Sequence, residues 1–215
     1  MLEDVIIKSV WQELKKAGAS SEEKSEMIPS SYYEVNYEVV KAGDLEFEIK
    51  QEEDYNYLFD MMKEDPEVFL VNYHRDFEEK EDEIITEEEV EAIYTGEIKW
   101  TKLEKEKNYW LIPLSCLVHS GVWLSLEDSF SCDPGGWDTS HVGLVLVSKK
   151  AAKTRKQAFK MAYNLVKTWN KLLSGDVYYI IVKKNGKEID SISGIIGIEE
   201  AYIWVNEYLK DIAKK

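Results

Sequence analysis

Cysteine is scarce in this chain. Two thiols among 215 residues, Cys116 and Cys132, cannot form a disulfide framework. Stability must therefore come from a core, and the thiols are expected to be reduced, in a cytoplasmic setting. No run of about 18 apolar residues occurs, which argues against a membrane-spanning helix. The first residues, MLEDVIIKSVWQELKKAG, are charged and amphipathic where a secretory leader would be apolar. P-loop, GxGxxG and GxSxG patterns are missing, which argues against P-loop nucleotide enzymes, dinucleotide enzymes and the common serine hydrolases. No internal repeat with a period of about 20–50 residues is present. Base is also in short supply: 27 Lys and Arg face 42 Asp and Glu, for a net charge of -15.

The remaining composition is that of a folded protein. Apolar residues make up 44% and aromatics 12%, enough for a sizeable core. We expect residues 1–30 to form an N-terminal helix and linker, and residues 31–215 a single domain. The charge is unevenly placed. Asp76, Glu78, Glu79, Glu81, Asp82, Glu83, Glu87, Glu88, Glu89 and Glu91 are interrupted by one base, Lys80. Lys149, Lys150, Lys153, Arg155, Lys156, Lys160, Lys167 and Lys171 follow with no acid between them. Such a molecule is dipolar. Its net field repels nucleic acid and anionic membranes at long range and favours a basic partner. The plainer use of the same charge is solubility alone.

Helical spacing of Val5, Ile6, Val10, Trp11 and Leu14 predicts a first helix over 3–17, stopped by Gly18. The small polar stretch 19–30 reads as a linker, which would make that helix an arm; its apolar stripe would pack on the domain, the favoured reading, or on a partner. Alternation over 32–40 and 45–49 around a turn at 41–44 predicts a β-hairpin. A short helix over 55–62 and a buried strand over 68–73 come next, the strand delivering His74 and Arg75. Thr86 and Glu89 have the spacing of a capping box, so a helix over 87–94 follows, ended by Gly96. Residues 97–108 are charged and carry no clear pattern. Strands are expected over 109–118, where Pro113 requires a bulge or an edge position, over 122–126, and over 142–147. A long helix capped by Ser148 is expected next, with Phe159, Ala162, Leu165, Val166, Trp169 and Leu173 at three- and four-residue steps. A hairpin closed by Asn185-Gly186 and a helix over 198–213 finish the chain. The fold class is α+β: a mainly antiparallel sheet with two long helices packed on one face, plus the N-terminal helical arm.

The reactive side chains concentrate between residues 109 and 148. Cys132, with His119 or His141 as base and Asp128 or Asp138 to orient it, forms a possible nucleophile set, because a thiol needs a nearby imidazole to ionise near neutral pH. The competing reading makes Cys116 a core residue and packs Cys132 beneath Trp137. Cys116, Cys132, His119 and His141 are ligand types that zinc takes, but their C-x2-H and C-x8-H spacing matches none of the short zinc patterns. Asp128, Asp133 and Asp138 lack EF-hand spacing. No metal and no cofactor is expected. His74 and Arg75, with the turn at 133–136, could contact a small anion. Glu87, Glu88, Glu89, Glu91 and Asp82 could instead present carboxylates where a nucleic acid presents phosphates, and so occupy the basic groove of another protein.

The motif order FEIKQEED, VNYHRDF, WLIPLSCLVHSG, FSCDPGGWDTSHVGLVLVSK, LSGDVYYIIV and KEIDSISGIIG spans residues 47–197. It resembles a family of uncharacterised acidic proteins encoded by bacterial phages, plasmids and other mobile elements. The resemblance maps Cys132, Trp137, Asp138 and Gly143 onto the family's Phe-Ser-Cys, Trp-Asp and Val-Gly positions, and His119 onto its His-Ser-Gly. His141 stands where the family more often has Gln. Residues 1 to about 30 match nothing in it. The resemblance implies the cytoplasm of a host cell and an inhibitor of a host defence or nucleic-acid-handling protein, and it carries no reaction. The leading expectation is thus a non-enzymatic protein that binds a host protein with a basic surface. It would bind neither nucleic acid nor membrane directly. A Cys132–His119–Asp138 enzyme and a small-anion module are the alternatives.

Overall fold

The structure, a computed structural model, describes residues 2–28, 33–63, 65–74, 77–78, 84–118, 121–127, 130–133 and 135–214. In chain order its elements are α1 (Leu2–Lys16), β1 (Ser20–Ile28), β2 (Tyr33–Ala42), β3 (Leu45–Gln51), α2 (Asn56–Lys63), β4 (Val68–His74), β5 (Phe77–Glu78), α3 (Glu87–Tyr94), α4 (Trp100–Lys107), β6 (Tyr109–Val118), β7 (Val122–Ser125), β8 (Thr139–Ser148), α5 (Arg155–Leu173), β9 (Val177–Lys184), β10 (Lys187–Ile196) and α6 (Ile198–Ile212). The class is α+β. The expected single sheet is two five-stranded antiparallel sheets, ordered β1-β2-β3-β9-β10 and β5-β4-β8-β6-β7. The chain divides accordingly into two compact units, residues 1–55 with 175–215, and residues 56–174. This replaces the expected division at residue 30.

In the first unit, α1 and α6 cover one face of the sheet. Leu14 is buried with Ala201, Tyr202 and Val205 over Val40, Phe47, Ile49, Ile180 and Val182. Trp11 meets Tyr202 edge-on at 5.3 Å. The first helix is therefore a core element of this unit and not a detached arm. The expected linker is the edge strand β1, paired with β2 along its length. Its sequence, SSEEKSEMI, hides that role, because a charged edge strand discourages further pairing and so carries little of the apolar alternation by which strands are read. The Asn185-Gly186 turn is as expected: both residues have positive φ, 53° and 75°, as a two-residue type I′ hairpin requires.

The second unit has three layers. On one face of its sheet, Leu70, Ile112, Leu114, Cys116, Val145 and Val147 pack against Ala158, Ala162, Val166 and Trp169 of α5. On the other, Phe69, Val71, Leu111, Leu144 and Leu146 pack against Val90 and Ile93 of α3 and Leu103 of α4. Cover on both sides explains the nearly unbroken apolar run of β6. The two long helices thus belong to different sheets, α5 to this one and α6 to the first. Ser148 does not cap α5. Thr154 does, through a capping box with Gln157.

Pro113 takes the expected edge position, and a bulge lies beside it rather than at it. A bulge on β8 leaves Val142 out of register between Leu114↔Gly143 and Ser115↔His141. The Tyr94 hydroxyl bridges the opened pair: it donates to the Gly143 carbonyl at 2.9 Å and accepts from the Leu114 N–H at 3.3 Å. Pro113 itself lies on the part of β6 that β7, paired only from Ser115 onward, does not cover. Two side-chain devices close the sheet's open edges. Glu104 accepts the Leu111 N–H at 3.2 Å while Arg155 donates to the Leu111 carbonyl at 3.3 Å. Asn170 accepts the Leu124 N–H and donates to the Leu124 carbonyl, both at 2.8 Å. In each case side chains do for an edge residue what a further strand would do.

Candidate functional site

The loop between β7 and β8 is organised by Asp133. Asp133 N–H closes a turn onto the Phe130 carbonyl at 3.0 Å, and Gly136 N–H closes the next onto the Asp133 carbonyl at 3.1 Å. The Asp133 carboxylate, 8% exposed, then receives the Trp137 N–H at 3.0 Å, the Asp138 N–H at 2.9 Å and the Thr139 hydroxyl at 2.8 Å. Gly136, with φ at 66°, supplies the left-handed step in the turn. Gly135 admits the Trp137 indole, since a Cβ there would come within 2.4 Å of the ring. Val118 N–H ties the loop back to β6 through the Asp138 carbonyl at 3.2 Å.

Burial alone would raise the Asp133 carboxyl. The Thr139 hydroxyl and the backbone N–H groups of Asp138, Trp137 and Thr139 outweigh that and hold it below the usual carboxylate value. A folded pKa below the unfolded value of about 3.9 makes its contribution complete above that pH and lost as pH falls through the folded value. Hydrogen-exchange protection of the Trp137 and Asp138 amides, corrected for intrinsic rate, should stay constant from neutral pH to about 4 and fall below it. Protection already lost near about pH 6 would rule out the carboxylate as the clamp.

The loop walls a cavity of about 520 Å³. Among the described residues its lining comprises Leu117 of β6, Trp123, Leu124 and Ser125 of β7, Phe130, Cys132, Asp133 and Asp138 of the loop, and Asn170 of α5. Cys132 and Asp138 are thus brought to one cavity. The expected third member, His119, lies outside the described residues, as does Asp128. His141 is not part of the lining. It is exposed, stacks on Tyr94 at 5.1 Å and pairs with the Ser115 hydroxyl at 3.2 Å. Cys132 is exposed and Trp137 is 90% exposed, so the thiol does not pack beneath the indole. Cys116 is buried among the residues facing α5, and burial pushes its thiol up to about 11. The two cysteines accordingly sit in different environments. Among the described residues no three His, Cys, Asp or Glu side chains group as a metal site.

The remaining predicted residues divide. Arg75 and Asp82 lie outside the described residues, as does the side chain of His74. The N–H groups of 136–138, on which an anion site at the turn would draw, are already bonded to Asp133. Glu89 has two internal roles: it accepts from Thr86 N–H at 3.1 Å in the expected capping box and pairs with Lys107 at 2.9 Å. Glu87, Glu88 and Glu91 are exposed. The Glu88 carboxyl is held below the usual range by its own backbone N–H and by the Thr86 hydroxyl.

Sequence reading did not single out Trp123, Phe130, Leu117 or Asn170. Only Asn170 left a signal: it follows Ala162 and Val166 at four-residue steps, a polar residue where the inward stripe of α5 calls for an apolar one. Comparison with protein-family models, with curated proteins and with solved structures gives no match.

Proposed function

We propose that this chain is a non-enzymatic acidic interaction protein that binds a host protein through carboxylates on α3. The observation that supports it most directly is the arrangement of α3 itself. Its first turn is fixed by a complete capping box, its apolar face is anchored by Val90 and Ile93, and Glu87, Glu88 and Glu91 project from it into solvent. A rigid display of ionised groups loses little entropy on binding and offers a basic groove the charge that a phosphate backbone would. The basic stretch counts against a uniformly negative surface: Arg155 is paired with Glu104, but Lys149 donates to a neutral carbonyl at 2.6 Å and keeps its charge. The resemblance to mobile-element proteins favours a target in host defence or nucleic-acid handling.

The test is capture of a host protein by the immobilised chain, with Glu87, Glu88 and Glu91 changed together to Gln and Glu89 retained for its cap. Capture should fall about tenfold or more in the variant and weaken with added salt. Capture unchanged in the variant would end the proposal. A cysteine-dependent enzyme is the second reading, favoured by Cys132 and Asp138 sharing one cavity. It requires Cys132 to be alkylated by iodoacetamide well below the ordinary thiol range near about pH 8.5.

A further inference from the structure

The geometry points to the cavity beside the Asp133 loop as a receptor for an arginine side chain presented by a partner protein. This deepens the reading of an acidic protein with a basic partner and rests on it. The cavity's walls narrow the ligand class. Leu117, Leu124, Phe130 and the half-exposed Trp123 offer apolar and aromatic surface, Asp138 offers a carboxylate, and Asp133, bonded within its loop, adds negative charge. The volume of about 520 Å³ is that of a ligand site, large enough for a side chain together with part of its backbone.

Phosphate-bearing ligands are disfavoured. Two carboxylates repel them, and the loop's N–H groups, which would otherwise receive them, bond Asp133. A hard cation needs six or more oxygen ligands, and the side chains of Leu117, Trp123, Leu124 and Phe130 in this wall supply none. A neutral apolar ligand would desolvate Asp138 and give it no new partner. An organic cation with an apolar stem satisfies every wall. Within that class guanidinium fits better than ammonium: it is planar, stacks on an indole face, and meets a carboxylate with two parallel N–H donors. Trp123 and Asp138 supply those two partners. Trp137, 90% exposed and immediately before Asp138 on the clamped loop, adds an aromatic side chain of the kind that dominates binding energy at protein interfaces.

The probe is a capped Gly-Arg-Gly tripeptide, with a twin carrying citrulline, the uncharged isostere, in place of arginine. Each is titrated calorimetrically into the full chain. The arginine peptide should bind with a Kd below about 10 mM, the weak end of a single-anchor contact, and the citrulline peptide at least about tenfold more weakly. Asp138→Asn should remove that difference, and Trp123→Leu should weaken the arginine peptide about fivefold or more. Alkylation of Cys132 by iodoacetamide should slow as the peptide saturates. Circular dichroism of both variants establishes that they are folded.

Equal binding of the two peptides, or an unchanged preference in Asp138→Asn, would overturn the proposal. So would the absence of binding to the wild-type chain at that concentration. The tripeptide offers no partner surface beyond its one side chain, so its binding is read independently of α3. Peptide failure with α3-dependent host capture intact overturns the arginine site alone. Arginine-selective binding with host capture indifferent to α3 overturns the carboxylate face alone.

Discussion

Replacing Gly143 with alanine should cost about 3 kcal/mol or more and open the sheet of the second unit. A Cβ at this position would lie 1.9 Å from the Val71 carbonyl oxygen and 2.9 Å from the Asn72 Cα, so the obstacle is the backbone of the neighbouring strand β4. A side chain can rotate away from such a contact; a paired strand cannot. Gly143 pairs with Asn72 on one side and Leu114 on the other, and its carbonyl holds the Tyr94 hydroxyl that bridges the bulge. A shift that relieves the contact therefore disturbs three strands and α3. Its φ is not in the left-handed region, so the requirement for glycine here is one of space and not of backbone conformation. Gly121→Ala is the matched control. Among the described residues its Cβ would meet nothing nearer than Trp123 Nε1 at 3.7 Å, and the change should stay within about 1 kcal/mol. Urea unfolding of both variants decides the matter: equal midpoints would mean that β4 and β8 can separate freely at this point.

Glu104→Ala should destabilise the chain by about 2–4 kcal/mol. Its side chain is 6% exposed, whereas that of its partner Arg155 is 53% exposed, with 2.5 Å between Oε1 and Nη1. The two halves of the pair are thus unequal. Removing Glu104 leaves the Leu111 N–H without its acceptor on the uncovered stretch of β6 and strands the guanidinium. Removing Arg155 takes the donor from the Leu111 carbonyl and the counter-charge from a buried carboxylate, but that carboxylate still accepts from Leu111 and the lost partner is half in solvent, so Arg155→Ala should cost about 1–2 kcal/mol, less than Glu104→Ala. Glu104→Gln, which keeps an acceptor, should fall between them. Denaturant midpoints in the reverse order would place the stabilisation in the exposed ion pair and not in the closed strand edge.

The parts of the fold legible in the sequence were those held by local rules. Thr86 with Glu89 and Asn185 with Gly186 act within a few residues of themselves, and each forms the cap or turn its spacing implies. The apolar periods of α1, α5 and α6 located these helices, since a face repeated every three or four residues is itself the contact surface, but Val5, Phe159 and Ile212, which belong to those stripes by spacing, are exposed. The start of α5 was misplaced by one competing capper: Ser148 precedes the helical pattern, but only Thr154 has Gln157 three residues on. Strand β1 and helix α4 were missed for a shared reason. Their sequences, SSEEKSEMI and WTKLEKEK, are rich in charge and carry little apolar pattern, and their partners β2 and β6 decide their conformation.

The candidate site shows the same division. Composition and pattern alone established the α+β class, the negative charge, the capped acidic helix and the cluster of reactive residues around Cys132. They could not establish that the strands sort into two sheets, because antiparallel alternation looks alike whichever partner a strand takes. Nor could they bring Trp123, Phe130, Asp138 and Asn170 to one cavity, since that depends on a helix reaching back across 46 residues to the backbone of Leu124. Register, edge closure and cavity walls arise from long-range pairing, and only the folded chain brings those pairs into contact.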